Sequence, residues 1–202
     1  MSFAELLAHP GVEEEFSLGS RVGVMAFHGG SLERMTDVIA AEVAARAGAS
    51  AYLVRLPEGF RWHIPSTKVR PDASPALRAF LDHVEVAIAV HGYGRAGFWT
   101  SLLAGGGNRH LALHVSTHLV RHLPDYEVVT DLERIPIRLR GLHPGNPVNG
   151  PRGKGVQLEL PPRVRGLSPK SRPEHTEGLI AGLAAATASW LRSPEHGPAH
   201  LH

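Results

Sequence analysis

The chain has no cysteine. That excludes disulfides and thiolate metal sites, so any metal here must be held by nitrogen and oxygen. It also has little net charge. Lys and Arg total 21 against 19 acidic residues, a formal +2. No global field of one sign exists, which argues against nucleic acid as a partner. Long hydrophobic runs are missing too, so no membrane span is expected. The N-terminus lacks a basic stretch followed by an apolar one, so no signal peptide is evident and a cytoplasmic location is expected. Gly105-Gly-Gly107 lacks the Gly-Lys-Ser/Thr ending of a phosphate loop, and Gly92-Tyr-Gly94 makes no dinucleotide fingerprint.

What is present is an ordinary globular balance, 43% apolar and 20% charged over 202 residues. That length predicts a single domain over 1–192 with its own core. The Pro-, Gly- and His-containing end, 193–202, reads as a disordered tail. Its His196, His200 and His202 are read as surface residues.

Apolar strands alternate with helical segments. Strands are predicted at Val22–Phe27, Ala51–Leu56, Arg61–Ile64, Val84–Val90, Phe98–Leu103, Tyr126–Val129 and Gly155–Leu160. Helices are predicted at Phe3–Ala8, Leu32–Ala47, Pro75–His83, Asn108–His122 and Pro173–Leu191, with Ser74 and Asn108 as N-caps and Gly48 as a C-cap. Residues 142–155 read as a long loop. Alternation of this kind predicts a layered α/β domain with a parallel or mixed sheet.

Two of the strands end alike. The first runs into His28-Gly-Gly-Ser-Leu-Glu33, the other into His91-Gly92. In an open α/β sheet both imidazoles then face one edge, where such sheets place their sites. Two imidazoles and a carboxylate are a common ligand set for catalytic zinc. The competing role for each histidine is capping or packing, and 14 histidines make chance pairs common.

In Gly155-Val-Gln-Leu-Glu-Leu160, alternation puts Gln157 and Glu159 on one face and Val156, Leu158 and Leu160 on the other. A glutamate inside an apolar strand needs a reason. It is either a solvated residue on an edge strand or a general base beside metal-bound water.

At this point the chain resembles the poly-γ-glutamate hydrolase family, zinc-dependent amidases related in fold to the zinc carboxypeptidases. The resemblance spans about residues 20–165. It rests on the His28–Glu33 block, Trp62-His-Ile-Pro-Ser-Thr67, His91-Gly-Tyr-Gly94, Gly105-Gly-Gly-Asn-Arg109, and Asn149 ahead of Gly155–Glu159. It implies a three-layer α/β/α sandwich with a mixed, zinc-carboxypeptidase-like sheet. It also implies Zn²⁺ on His28, Glu33 and His91, with Glu159 as catalytic base. Carboxypeptidases proper leave two residues between the first histidine and glutamate, whereas four stand here, so exopeptidase specificity does not transfer.

The implied substrate is an anionic γ-glutamyl peptide, which calls for cations. Arg109 and Asn108, at a helix start after a glycine-rich turn, are the first candidates. Arg95 follows, then Arg138 and Lys154, while His63 and Ser66 lie in one of the family blocks, with a structural role in their loop as the competing reading. Two other readings use the same residues: a zinc amidase or peptidase acting on another acyl-amino acid or cell-wall peptide, and a metal-binding domain with no activity. An intact Glu159 argues against the last, because binding alone needs no base.

Overall fold

The structure, a computed structural model, describes residues 1–192. The predicted tail 193–202 lies outside the described residues. A seven-stranded mixed sheet runs through the molecule in the order β1-β3-β2-β4-β7-β5-β6. Its strands are β1 (Glu13–Ser17), β2 (Ser20–Gly30), β3 (Ala49–Leu56), β4 (Val86–Gly92), β5 (Ser101–Ala104), β6 (Glu127–Val129) and β7 (Gly155–Leu160). The pairs β2–β3, β2–β4, β4–β7 and β5–β6 are parallel, while β1–β3 and β5–β7 are antiparallel.

Both faces of the sheet are covered, so its central strands read as continuous apolar runs. On one face, α2 (Thr36–Ala47), α4 (Arg109–His122) and α6 (Glu174–Arg192) bury Ile39, Val43, Leu111, Val115, Leu179 and Leu183 against Val24, Ile88, Val156 and Leu158. On the other, α1 (Phe3–Leu7) and α3 (Pro75–His83) bury Phe3, Leu6, Leu77 and Phe80 against Met25, Phe27, Tyr52, Ala87 and Ala89. A short helix α5 (Pro162–Arg165) follows β7. The result is the expected three-layer α/β/α sandwich. No helix among the described residues is long and apolar enough to cross a membrane.

Several elements differ from the sequence reading. Residues 61–65 form no strand, because Pro65 and the turn beside it break the pairing. Strand β1, with the sequence Glu-Glu-Glu-Phe-Ser, has no counterpart among the predicted strands. It is an exposed edge strand, so no buried face marks it by alternation. Helix α2 begins at Thr36 rather than near Leu32, because residues 31–35 form the turn that carries Glu33.

Candidate metal centre

Strand β2 delivers His28, and a bulge decides where it points. Val24 and Ala26 face α2, so strict alternation would send His28 the same way. One extra residue is inserted in β2 between Ala26, opposite Leu53, and Gly29, opposite Arg55. A β-bulge of this kind re-aims side chains next to functional sites. Here it leaves Gly29 against Asp37 of α2 and turns His28 to the opposite face, beside His91, with ring centroids 5.3 Å apart. Gly30 follows at φ +73, where a Cβ would lie 2.2 Å from the Leu56 carbonyl oxygen. Only glycine meets both demands.

The turn then returns Glu33 to the strand end. Its N–H donates to the His28 carbonyl at 2.8 Å, and its carbonyl accepts from Thr36 Oγ1 at 2.8 Å. The carboxylate lies between the two histidines. Oε1 is 2.9 Å from His28 Nδ1, and Oε2 is 3.3 Å from His91 Nδ1. Oε2 also accepts from the Gly92 N–H at 2.9 Å. Burial pushes the Glu33 carboxyl up, but His28 and His91 together outweigh it and hold the group well below the usual carboxylate range. For His91 burial pulls the pKa down, and Glu33 outweighs it to give a net rise.

These residues fit a metal on an observation of their own. His28 Nε2 is 2.8 Å from the Ile64 carbonyl, an acceptor only, so Nε2 carries a proton, and in the neutral ring Nδ1 then keeps its lone pair for a metal. That Nδ1 is buried and has no hydrogen-bond partner, although Glu33 Oε1 is 2.9 Å away. With Nδ1 unprotonated, two lone pairs face each other at that separation, an arrangement that a cation held between them relieves. His91 Nε2 is likewise buried without a partner. Among the described residues, His28, Glu33 and His91 are the group of three whose donor atoms all lie within 4.8 Å of one another.

Glu159 sits beside this group and is 4% exposed. Strand β7 is paired on both sides, which removes the edge-strand reading, and its register places Glu159 directly opposite His91. The carboxylate accepts from Gln157 Nε2 at 2.8 Å through Oε1, and Gln157 Oε1 in turn accepts from Asn146 Nδ2 at 2.7 Å. Burial raises the Glu159 carboxyl most, the Glu33 charge adds to the rise, and His91 and the Gln157 bond oppose it. The net value is about 7.

A cleft of about 640 Å³ opens over the group. Its far wall is the segment 137–143, with Arg138 and His143, and Asn149 shapes that wall by donating to the carbonyls of Gly141 and His143. His63, for which the sequence left a site role and a structural role open, lines the cleft with its Nε2 3.6 Å from Glu33 Oε1. Its signal was its place in the Trp62–Thr67 block.

The expected substrate residues are placed as follows. Arg109 does not line the cleft. Its guanidinium donates to the carbonyls of Ala104, Gly106 and Thr130 and so fastens a turn. Asn108 caps α4 through Oδ1 and ties Nδ2 to the Gly153 carbonyl. Both are spent on the backbone. Arg95 is exposed in an adjoining depression that shares Ile137, Arg138 and Leu139 with the cleft.

The sequence profile of the Poly-gamma-glutamate hydrolase family matches residues 1–174. The chain belongs to this family. Structurally this hydrolase is similar to a bacteriophage poly-gamma-glutamate hydrolase, with a TM-score of 0.77 and 22% identity over 92% of this chain and 93% of that one. It is similar to YNDL in its zinc-free form, with a TM-score of 0.69 and 25% identity over 87% and 88%. A metallo-carboxypeptidase from Burkholderia cenocepacia shares the fold at a TM-score of 0.51 and 10% identity, over 93% of this chain and 66% of that one. No curated protein matches the chain by sequence.

Proposed function

We propose that this hydrolase holds Zn²⁺ on His28, Glu33 and His91 and cleaves the amide bonds of a γ-linked glutamyl chain. The observation that carries the proposal is two buried imidazole nitrogens without partners, His28 Nδ1 beside Glu33 Oε1 and His91 Nε2, on residues whose donor atoms group with Glu33. The ligand chemistry supports zinc: nitrogen and carboxylate donors, a histidine oriented through its second nitrogen, and an open cleft beside them. Zinc in such a site polarises a carbonyl and lowers the pKa of water to about 7.

The remaining work falls to the chain's own residues. Glu159 Oε1 is engaged by Gln157, so Oε2 is the atom that takes the proton of the attacking water and returns it to the leaving amine. A carboxyl near pH 7 suits both halves of that exchange. Gln157 and Asn146 fix the carboxylate's orientation. A γ-linked glutamyl chain carries a free α-carboxylate on each residue. Arg138 stands on the cleft wall, makes no ion pair among the described residues, and is placed to meet one of them. Arg95 sits further along for the next.

The test compares wild type and Arg138→Ala on poly-γ-glutamate, on α-linked polyglutamate and on γ-oligomers whose α-carboxylates are blocked as amides. A charge-assisted contact contributes about 1.5–3 kcal/mol, so Arg138→Ala should lower kcat/KM roughly 10- to 100-fold on the charged γ-polymer. It should change little on the blocked one. Faster cleavage of α-linked or cell-wall peptides than of the γ-polymer would overturn the substrate assignment.

A further inference from the structure

The site draws on three chain segments, and one side chain touches the backbone just beyond each. Arg165 is buried at the end of α5. Its Nη1 donates to the carbonyl of Arg34, the residue after Glu33. Its Nε donates to the carbonyl of Leu160, the residue after Glu159, at 3.3 Å. Its guanidinium also lies against Gly92, the residue after His91. A Cβ built on Gly92 would come within 2.9 Å of Arg165 Cζ and Nε. Gly92 does not have positive φ, so the backbone itself does not require glycine there. The buried guanidinium instead fills the space a Cβ would take.

Burying a guanidinium is costly unless its donors are satisfied. Arg165 has no carboxylate within ion-pair distance among the described residues, and two carbonyls take its donors instead. The Glu33 and Glu159 charges favour it from farther off. The fold delivers it there deliberately: Pro161 and Pro162 stop β7, and α5 turns once, with the Val164 and Arg165 N–H groups returning to the Pro161 carbonyl. Arg165 does not line the cleft and so has no direct contact with substrate.

We infer that Arg165 is a positioning residue: one guanidinium gathers the backbones that follow Glu33, His91 and Glu159 and fixes the spacing of the two metal-binding ends and the base. This rests on the zinc reading above. Loss of the partners that orient a ligand costs roughly 10- to 100-fold in metal affinity. A guanidinium that merely anchored α5 would alter thermal stability and leave the zinc Kd of the folded protein unchanged.

The experiment measures zinc Kd by chelator competition, well below each protein's Tm, for wild type, Arg165→Met, Arg165→Lys, Gly92→Ala and Gly92→Ala/Arg165→Met. Thermal unfolding of the metal-free proteins is measured alongside. Arg165→Met should weaken zinc by roughly 10- to 100-fold, and Arg165→Lys, which spans one carbonyl rather than two, by less. Gly92→Ala alone should weaken zinc about tenfold, yet by less than about twofold in the Arg165→Met background, where the methyl has room. Gly92→Ala keeps Arg165 intact, so it reports even if Arg165→Met fails to fold. Zinc affinity within about twofold of wild type in Arg165→Met and Gly92→Ala, or an equal Gly92→Ala penalty in both backgrounds, overturns the inference. If wild type itself takes up no zinc, the zinc reading falls. Arg165 is then judged by thermal unfolding, where additive Gly92 and Arg165 penalties reject the tether and non-additive ones uphold it.

Discussion

Replacing Glu159 by glutamine should make the metal-free protein more stable than wild type at alkaline pH. The buried carboxyl moves from an ordinary 4.5 to about 7 on folding, chiefly through burial. A raised acid pKa means that the folded state holds the proton more tightly than the unfolded chain. The resulting stability is full below pH 4.5 and is lost as pH rises through 7. At about 1.4 kcal/mol per pH unit the whole swing is roughly 3 kcal/mol, of which roughly 2.5 kcal/mol falls between pH 5 and 8. His91, whose pKa is also raised, adds a loss above pH 6.5. Glu33, whose pKa is depressed, contributes stability above pH 4.5 that disappears only below it. The Glu33 and His91 effects are largely shared by the variant, and the part of the His91 rise that comes from the Glu159 charge is lost with it. Glutamine keeps the shape and can still accept the Gln157 bond, but it never carries a charge. Urea unfolding of chelator-treated wild type and Glu159→Gln at pH 5, 6, 7 and 8 reads the difference directly. It should change by roughly 2.5 kcal/mol in the variant's favour as pH rises. Parallel stability profiles would refute the buried, raised carboxyl.

Two further outcomes follow from the same geometry. His91→Ala removes a proposed strand-end ligand and should weaken zinc by at least about 100-fold, read as metal content after dialysis against a competing chelator. Arg109→Ala leaves three carbonyls without their shared donor and should cost about 2 kcal/mol of stability, with KM for the γ-polymer unchanged. A raised KM in a stable Arg109→Ala protein would return that arginine to the substrate site.

The elements that carry the site were legible because their physics is local. Val22–Phe27 and Val86–Val90 are apolar strand segments buried on both faces, and each runs into His-Gly. The pairing of His91 with Glu159 was not legible, because β4 and β7 meet across more of the chain than any local pattern spans. The bulge in β2 was invisible for a similar reason: its register exists only against β3. Arg109 misled because a helix start does favour anions, yet the Gly106 backbone, at φ +88, folds the turn's carbonyls to within its reach. Arg165 carried no sequence signal, since its importance lies in three backbone segments that only the fold assembles.

The most direct test of the account is turnover of poly-γ-glutamate by zinc-reloaded Glu159→Gln, with bound metal measured on the same sample. The account predicts one zinc per chain, as in wild type, and kcat lowered roughly 10²- to 10⁴-fold. A variant that holds its zinc and turns over at the wild-type rate would contradict it.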